Sequence, residues 1–439
     1  MCVLLGLAAH ASALAQEGGR YLGVASCAGS TCHGRAEGNG AEVRQDEIAS
    51  WQTPSSPAGA HSRAVAVLGG IRARQITASL GLKEPTHEPA CLGCHATFGP
   101  AAAYGPRFQQ SDGIGCESCH GPASGWIASH YTTAGSHRAN VAAGLVPLEN
   151  PQVRAAVCLD CHYGSASAGQ FVTHRMMAAG HPRIAFELDL FSALQQHYDI
   201  DADYRQRKGA PDSVRMWAVG QAEALRRSTD LFARPGLGSE GIFPEFYFYD
   251  CHSCHRQIGD GPQRRLTFES NPGRPIPFGQ PPFNDENMIM LQAVARALAP
   301  GEAGAFDAAS RAFHRAMGQG RPDAVAAALK LRGAAKGLSD AFAGRGADGG
   351  DAFTVVAAIA DRTTSARFTD YAGSVQAVMA LDTLLNAMVR DGRITVGAAA
   401  GIRASLDRAY EAVKSPESYN PDRFRAALGA AASAIGALR

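Results

Sequence analysis

Ten of the eleven cysteines in this 439-residue chain fall into five pairs, and a histidine directly follows the second member of each pair. They read CAGSTCH from Cys27, CLGCH from Cys91, CESCH from Cys116, CLDCH from Cys158 and CHSCH from Cys251. Two thiols three residues apart, with an imidazole beside the second, are a template for one porphyrin. The cysteines form thioether bonds to its two vinyl groups, and the histidine lies beneath the ring where its nitrogen ligates the iron. Zinc sites seldom set a histidine directly after both cysteines, and a thioredoxin-like pair would occur once, near a βαβ pattern that is absent here.

The first motif departs from the rule, with four residues between Cys27 and Cys32 instead of two. Ala28, Gly29 and Ser30 are small, so the loop can bulge without crowding a porphyrin edge, and His33 keeps the ligating place. A local disulfide is the rival reading. With no other cysteine outside the leader left over, the working count is five covalent haems c. The attaching residues are Cys27, Cys32, Cys91, Cys94, Cys116, Cys119, Cys158, Cys161, Cys251 and Cys254, and the proximal ligands are His33, His95, His120, His162 and His255.

An iron that only carries electrons needs a ligand on its second face, whereas one that binds substrate keeps that face open. Nine histidines remain outside the leader and the proximal positions: His61, His87, His130, His137, His174, His181, His197, His252 and His314. His174 and His181, in HRMMAAGHPR, are seven residues apart, two helical turns and hence one face, about 10 Å apart along the axis and suited to two neighbouring haems. His61, His130 and His87 complete the expected distal set. His137 and His197 remain candidates, while His252 and His314 read as structural. Met176 and Met177 read as packing residues.

The elements that must carry these ligands divide the chain. The first fifteen residues are apolar and end in Ala13-Leu14-Ala15, the pattern of a secretory leader, although no Lys or Arg precedes the apolar run. No later stretch reads as a transmembrane span. The net charge of +1 gives no sign of a nucleic-acid-binding surface. Residues 16–270 are expected to form a pentahaem domain of loops and short helices, with the porphyrins supplying its core. Only twenty residues separate His95 from Cys116, which should bring the second and third haems together. The aromatic EFYFYD before the fifth motif suits the covering of a haem edge.

The Pro- and Gly-rich run within 271–284 reads as a linker. Beyond it, 285–439 lacks cysteine and repeats apolar residues at three- and four-residue spacing, which predicts a bundle of about five to seven helices. The fold class is thus mainly α with extensive loops, a haem-built domain followed by an all-α bundle.

Several stretches together carry a family resemblance: YLGVASC, HSRA, GCESCHGPA, CLDCH and HRMMAAGHPR. Roughly Gln16 to Arg265 resembles the exported multihaem cytochromes related to cytochrome c-554. The resemblance implies mostly bis-histidine haems in stacked pairs with one five-coordinate iron, and by position it supports His61, His130, His174 and His181 as distal ligands. A fifth motif and the helical tail depart from the tetrahaem pattern.

The expected function is electron transfer by an exported, periplasmic carrier. It would run between a quinol-linked or enzymatic donor and a soluble or outer-membrane cytochrome acceptor, without nucleic acid. Enzymatic reduction of small nitrogen or sulfur species at one open iron is the alternative. The five-haem nitrite reductases use a lysine-ligated catalytic haem, and no Cys-x-x-Cys-Lys occurs here. Assembly of subunits into a longer haem chain stays open.

Overall fold

The computed structural model describes residues 19–38, 44–53, 55–132, 135–237, 243–256, 273–277, 280–345, 351–364 and 371–439. The leader expected over residues 1–15 and part of the 271–284 run fall outside them. Among the described residues the chain is mainly helical, and the only β-pairing is two isolated bridges, Tyr21 with Tyr104 and Tyr249 with Phe283.

The described residues up to 210 form short helices joined by turns, with little apolar core of their own. One small cluster gathers Leu68, Leu92 and Ala96, and another gathers Ala155, Leu159, Tyr163, Phe186 and Leu188 with Ala224. Cys91 packs against the first cluster and Cys158 against the second, and nine of the ten motif cysteines are half-buried. A segment this poor in side-chain core needs other matter to complete it, as the five motifs lead one to expect.

The C-terminal region is built differently. Seven described helices follow residue 285: Glu286–Leu298, Pro300–Ala316, Arg321–Ala343, Ala352–Thr363, Tyr371–Arg390, Val396–Ala412 and Pro421–Gly436. Their apolar faces meet in one large core in which Phe306, Phe313, Phe342 and Phe424 are fully buried. Each such ring contributes about 1.5–3 kcal/mol relative to exposure. Tyr371–Arg390 is long and apolar enough to cross a bilayer, contrary to the expectation that no stretch would be. Here 83% of its apolar window is buried, because it is a central helix of the bundle.

This core also reaches back across the expected boundary at 271–284. The long helix Ser213–Ala233 runs along Arg321–Ala343 and packs against Pro151–His162 on another side, burying Trp217, Leu225 and Phe232. Where it is described, the run expected as a linker is built into the core. Phe283 is buried, Asp250 N donates to Pro282 O at 2.9 Å, and Asn284 N donates to Phe248 O at 2.7 Å. Arg274 grips Asp285 through two hydrogen bonds of 2.7 and 2.8 Å, with His314 Nε2 3.2 Å from the same carboxylate. Proline and glycine mark a change of direction here, and the aromatic residues between them anchor the turn.

Polar contacts join the two regions. Gln376 Nε2 donates to Phe186 O, Thr383 Oγ1 to Glu187, and Asp250 accepts from Ala372 N. His252 lies with Nδ1 2.7 Å from Pro416 O. The bundle therefore holds both the fifth motif and the segment around Phe186 and Glu187 that follows His181.

Candidate metal centres

Three of the five motifs are the last turn of a helix. Pro89–His95, Cys116–His120 and Pro151–His162 each end on the motif histidine. Residues i, i+3 and i+4 share a helical face, so two thiols and an imidazole are presented together. Pro89 and Pro151 suit the first helical position, and Asn150 caps its helix by accepting from Gln152 N and Val153 N. The fifth motif winds as the tight turn Cys251–Ser253, with His255 N donating to Cys251 O at 2.8 Å.

The enlarged first motif closes on itself. Cys32 N donates to Gly29 O at 2.8 Å, and His33 N donates to Cys27 O at 3.1 Å. Gly34 passes so near Ala28 that a Cβ there would lie 2.1 Å from the Ala28 carbonyl oxygen, which makes glycine necessary to complete the loop. No disulfide joins Cys27 and Cys32.

Each motif histidine faces a second imidazole. The ring centres are 6.0 Å apart for His33 and His130, 6.1 Å for His162 and His61, and 6.1 Å for His255 and His174. They are 6.3 Å apart both for His95 and His181 and for His120 and His197. Two imidazoles bound to one metal ion at about 2 Å each place their ring centres roughly 6 Å apart. The donor set therefore fits an iron between every pair. Among the described residues, no cluster of three or more His, Cys, Asp or Glu side chains is poised to hold a bare metal ion.

Four of the expected distal histidines stand in these pairs, and the fifth place is taken by His197. His87 faces no motif imidazole. It is exposed at the end of the Pro85–His87 turn, where Pro85 packs inward and Nδ1 of His87 lies 3.2 Å from Thr86 Oγ1. His174 and His181 do not share a helical face either. The helix stops at Ala178, Gly180 adopts φ 112°, and the two imidazoles turn to separate motifs. His137 bonds Glu149 at 2.7 Å, and His252 and His314 have the contacts described above.

The surroundings adjust each ring. Burial pushes His120 down to about 3 and His162 to about 4, and it lowers His61, His130, His174 and His181 as well. At neutral pH these rings are therefore uncharged and keep a lone pair for a metal. His33 moves the other way, because its Nδ1 bonds the Glu47 carboxylate at 2.9 Å. His95 Nδ1 is 2.7 Å from Ala64 O, and His181 Nδ1 is 2.8 Å from Pro182 O. Such partners orient a ligating ring and increase its basicity, a carboxylate more than a carbonyl.

The motifs also touch one another in a definite order. Cys27 and Cys116 are near enough that each shifts the other's thiol, the first downwards and the second upwards, and Cys94 Sγ lies 3.9 Å from Cys161 O with Cys161 Sγ 3.8 Å from Gly93 O. The first motif thus adjoins the third, and the second adjoins the fourth. Glu117, inside the third motif, accepts from Leu22 N, Gly23 N and Ala123 N at 2.7 to 2.8 Å and so ties the first motif to it. The short tether expected to join the second and third motifs appears as a 2.6 Å bond between Thr97 and Ser118. Of EFYFYD, Phe246 lies 5.4 Å from the His174 ring, whereas Phe248 is buried in the bundle core.

Residues 26–121 match the family described as cytochrome c554 and c-prime. The matched stretch contains the first three motifs, including the enlarged one. No curated protein and no solved structure matches the chain. The family match supports covalently bound haem c, its iron and a haem-based electron-transfer role.

Proposed function

We propose that this chain, whose residues 26–121 match the cytochrome c554 and c-prime family, is an exported electron carrier with five covalent c-type haems, each held between two histidines. The observation that carries this reading is the set of five facing imidazole pairs, His33–His130, His95–His181, His120–His197, His162–His61 and His255–His174. Haem c supplies a one-electron iron couple when bound.

The chain's own residues do the rest. Paired thiols fix each group at one edge. An imidazole on both faces leaves no coordination place for a small substrate, which favours transfer over turnover. Contacts from the first motif to the third, and from the second to the fourth, hold the groups close enough for electrons to pass between them. Export belongs to the reading because proteins of this family are typically exported. Its partners are redox proteins, a quinol-linked donor on one side and a cytochrome acceptor on the other.

The experiment is mass spectrometry of the mature protein produced in a host that attaches c-type haem, joined to electron paramagnetic resonance. Five haem additions and wholly low-spin ferric signals are expected. Four additions would return Cys27 and Cys32 to a disulfide, and a strong high-spin signal from several sites would turn the reading towards an enzyme.

A further inference from the structure

Arg183 follows His181 by two residues, yet its side chain turns towards a different motif. Its Nη1 lies 2.9 Å from Cys251 Sγ, an attaching atom of the fifth site. Its Nη2 is 3.7 Å from Glu286 Oε1, the arginine being 20% and the glutamate 7% exposed. Tyr163, next to His162 of the fourth motif, places its hydroxyl 2.7 Å from the same glutamate oxygen. The Tyr247 hydroxyl donates to Tyr163 O at 3.2 Å, and Tyr247, Tyr163, Asp250 and Tyr371 all lie within electrostatic reach of the guanidinium. A permanent cation is thus enclosed between the distal segment of the second site, the tyrosine of the fourth and the cysteine of the fifth.

The fifth site is also the most open. Cys254 is the one exposed motif cysteine, and the His255 side chain is 53% exposed. Water stabilises the more positive, oxidised state of an iron centre, so exposure alone would make this site the hardest to reduce. A fixed cation against its attachment edge acts in the opposite sense, because it favours the state that has gained an electron. Arginine suits the place, since it keeps its charge when enclosed.

We infer that Arg183 is a positioning residue that sets the reduction potential of the fifth site, offsetting the exposure of that site with a buried positive charge moderated by Glu286. This inference rests on the five-haem reading and goes beyond it by assigning the residue that tunes one particular site.

The test is a redox titration of the full chain followed by absorption and electron paramagnetic resonance, in native protein and in Arg183→Met, Arg183→Lys and Glu286→Gln, each first shown by mass to carry five haems. In Arg183→Met one wave should move down by about 60 mV or more, a tenfold change in a one-electron equilibrium, with the other four moving clearly less. Arg183→Lys should restore most of that shift. Glu286→Gln, which removes the countercharge and keeps the shape, should move the same wave up, and it tests the inference even where Arg183→Met fails to mature. The affected wave should be the one missing from a Cys251→Ser, Cys254→Ser double variant. Unmoved waves in both the methionine and glutamine variants would overturn the inference and leave the five-haem reading intact, as would equal shifts in the lysine and methionine variants. Fewer than five haems in the native protein would overturn the function reading itself, and this inference with it.

Discussion

The imidazole of His197 stands 6.3 Å from that of His120, nearly perpendicular to it, with Nδ1 3.0 Å from Gln195 O. It comes from the turn after the Leu188–Leu194 helix, far along the chain from the motif it faces. Removing this ring should open one iron. His197→Ala is expected to convert one of five low-spin ferric signals to high spin and to create a site for added cyanide or imidazole. His87→Ala should leave all five signals unchanged, since that ring is exposed and faces no motif histidine. Electron paramagnetic resonance of the two variants checks both statements.

The carboxylate of Glu47 bonds His33 at 2.9 Å and gives that ring anionic character, which favours the oxidised iron. Glu47→Gln retains a hydrogen-bonding partner but removes the charge. The first site's potential should rise by roughly 60 mV, equivalent to about tenfold in its equilibrium. A redox titration in which no wave rises would remove Glu47 from the tuning of that site.

Glu117 is a buried carboxylate whose oxygens collect three backbone N–H groups from two separate segments. Glu117→Ala should leave those donors buried and unsatisfied, costing about 3 kcal/mol or more. The expected outcome is a clearly lower melting temperature and partial loss of haem at the first motif, read as a fraction of protein one haem lighter. Glu117→Gln, which keeps one acceptor oxygen, should fall between the two.

Glu187 is fully buried, and burial pushes its carboxyl up to about 7 from an ordinary value of 4.5. Its oxygens accept from Asp189 N, Leu190 N and Thr383 Oγ1. An acid with a raised folded-state pKa binds more protons folded than unfolded between those two values. Stability linked to this group is therefore full below about pH 4.5 and declines as the pH rises to about 7, by a few kcal/mol in all. Glu187→Gln should flatten the decline in a series of denaturation midpoints across that range. An unchanged slope would mean that the carboxyl stays ionised in the folded protein.

Much of this was legible along the chain. A Cys-x-x-Cys-His motif is local, its parts spanning one helical turn, so the attaching residues and the proximal histidines need no tertiary information. The bundle was legible for a similar reason. Helices such as Pro300–Ala316 and Pro421–Gly436 bury one face, and a 3.6-residue period records that face in the order of apolar residues. His61, His130, His174 and His181 each face a motif imidazole, but which motif each one faces is not written in the sequence. His87 lies near a motif in sequence yet faces no motif ring, whereas His197, far along the chain, faces His120, because nearness in sequence is a poor measure of which ring can reach a motif's far side. The signal that could have favoured His197 is its neighbourhood, LFSALQQHYDI, where an apolar helix face precedes it, in contrast to the Pro-Thr-His-Glu turn around His87.

What the sequence by itself determined is the set of five Cys-Cys-His motifs, ten thiols in pairs with an adjacent imidazole after each pair, and with it the chemistry to be expected there, because such a motif depends only on near neighbours in the chain. What only the tertiary structure decided is the far side of each centre and its surroundings: His197 opposite His120, Arg183 against Cys251, Glu117 across two segments, and Ser213–Ala233 within the C-terminal core. Those relationships join residues far apart in the chain, and each depends on how separate helices pack, which no local spacing records.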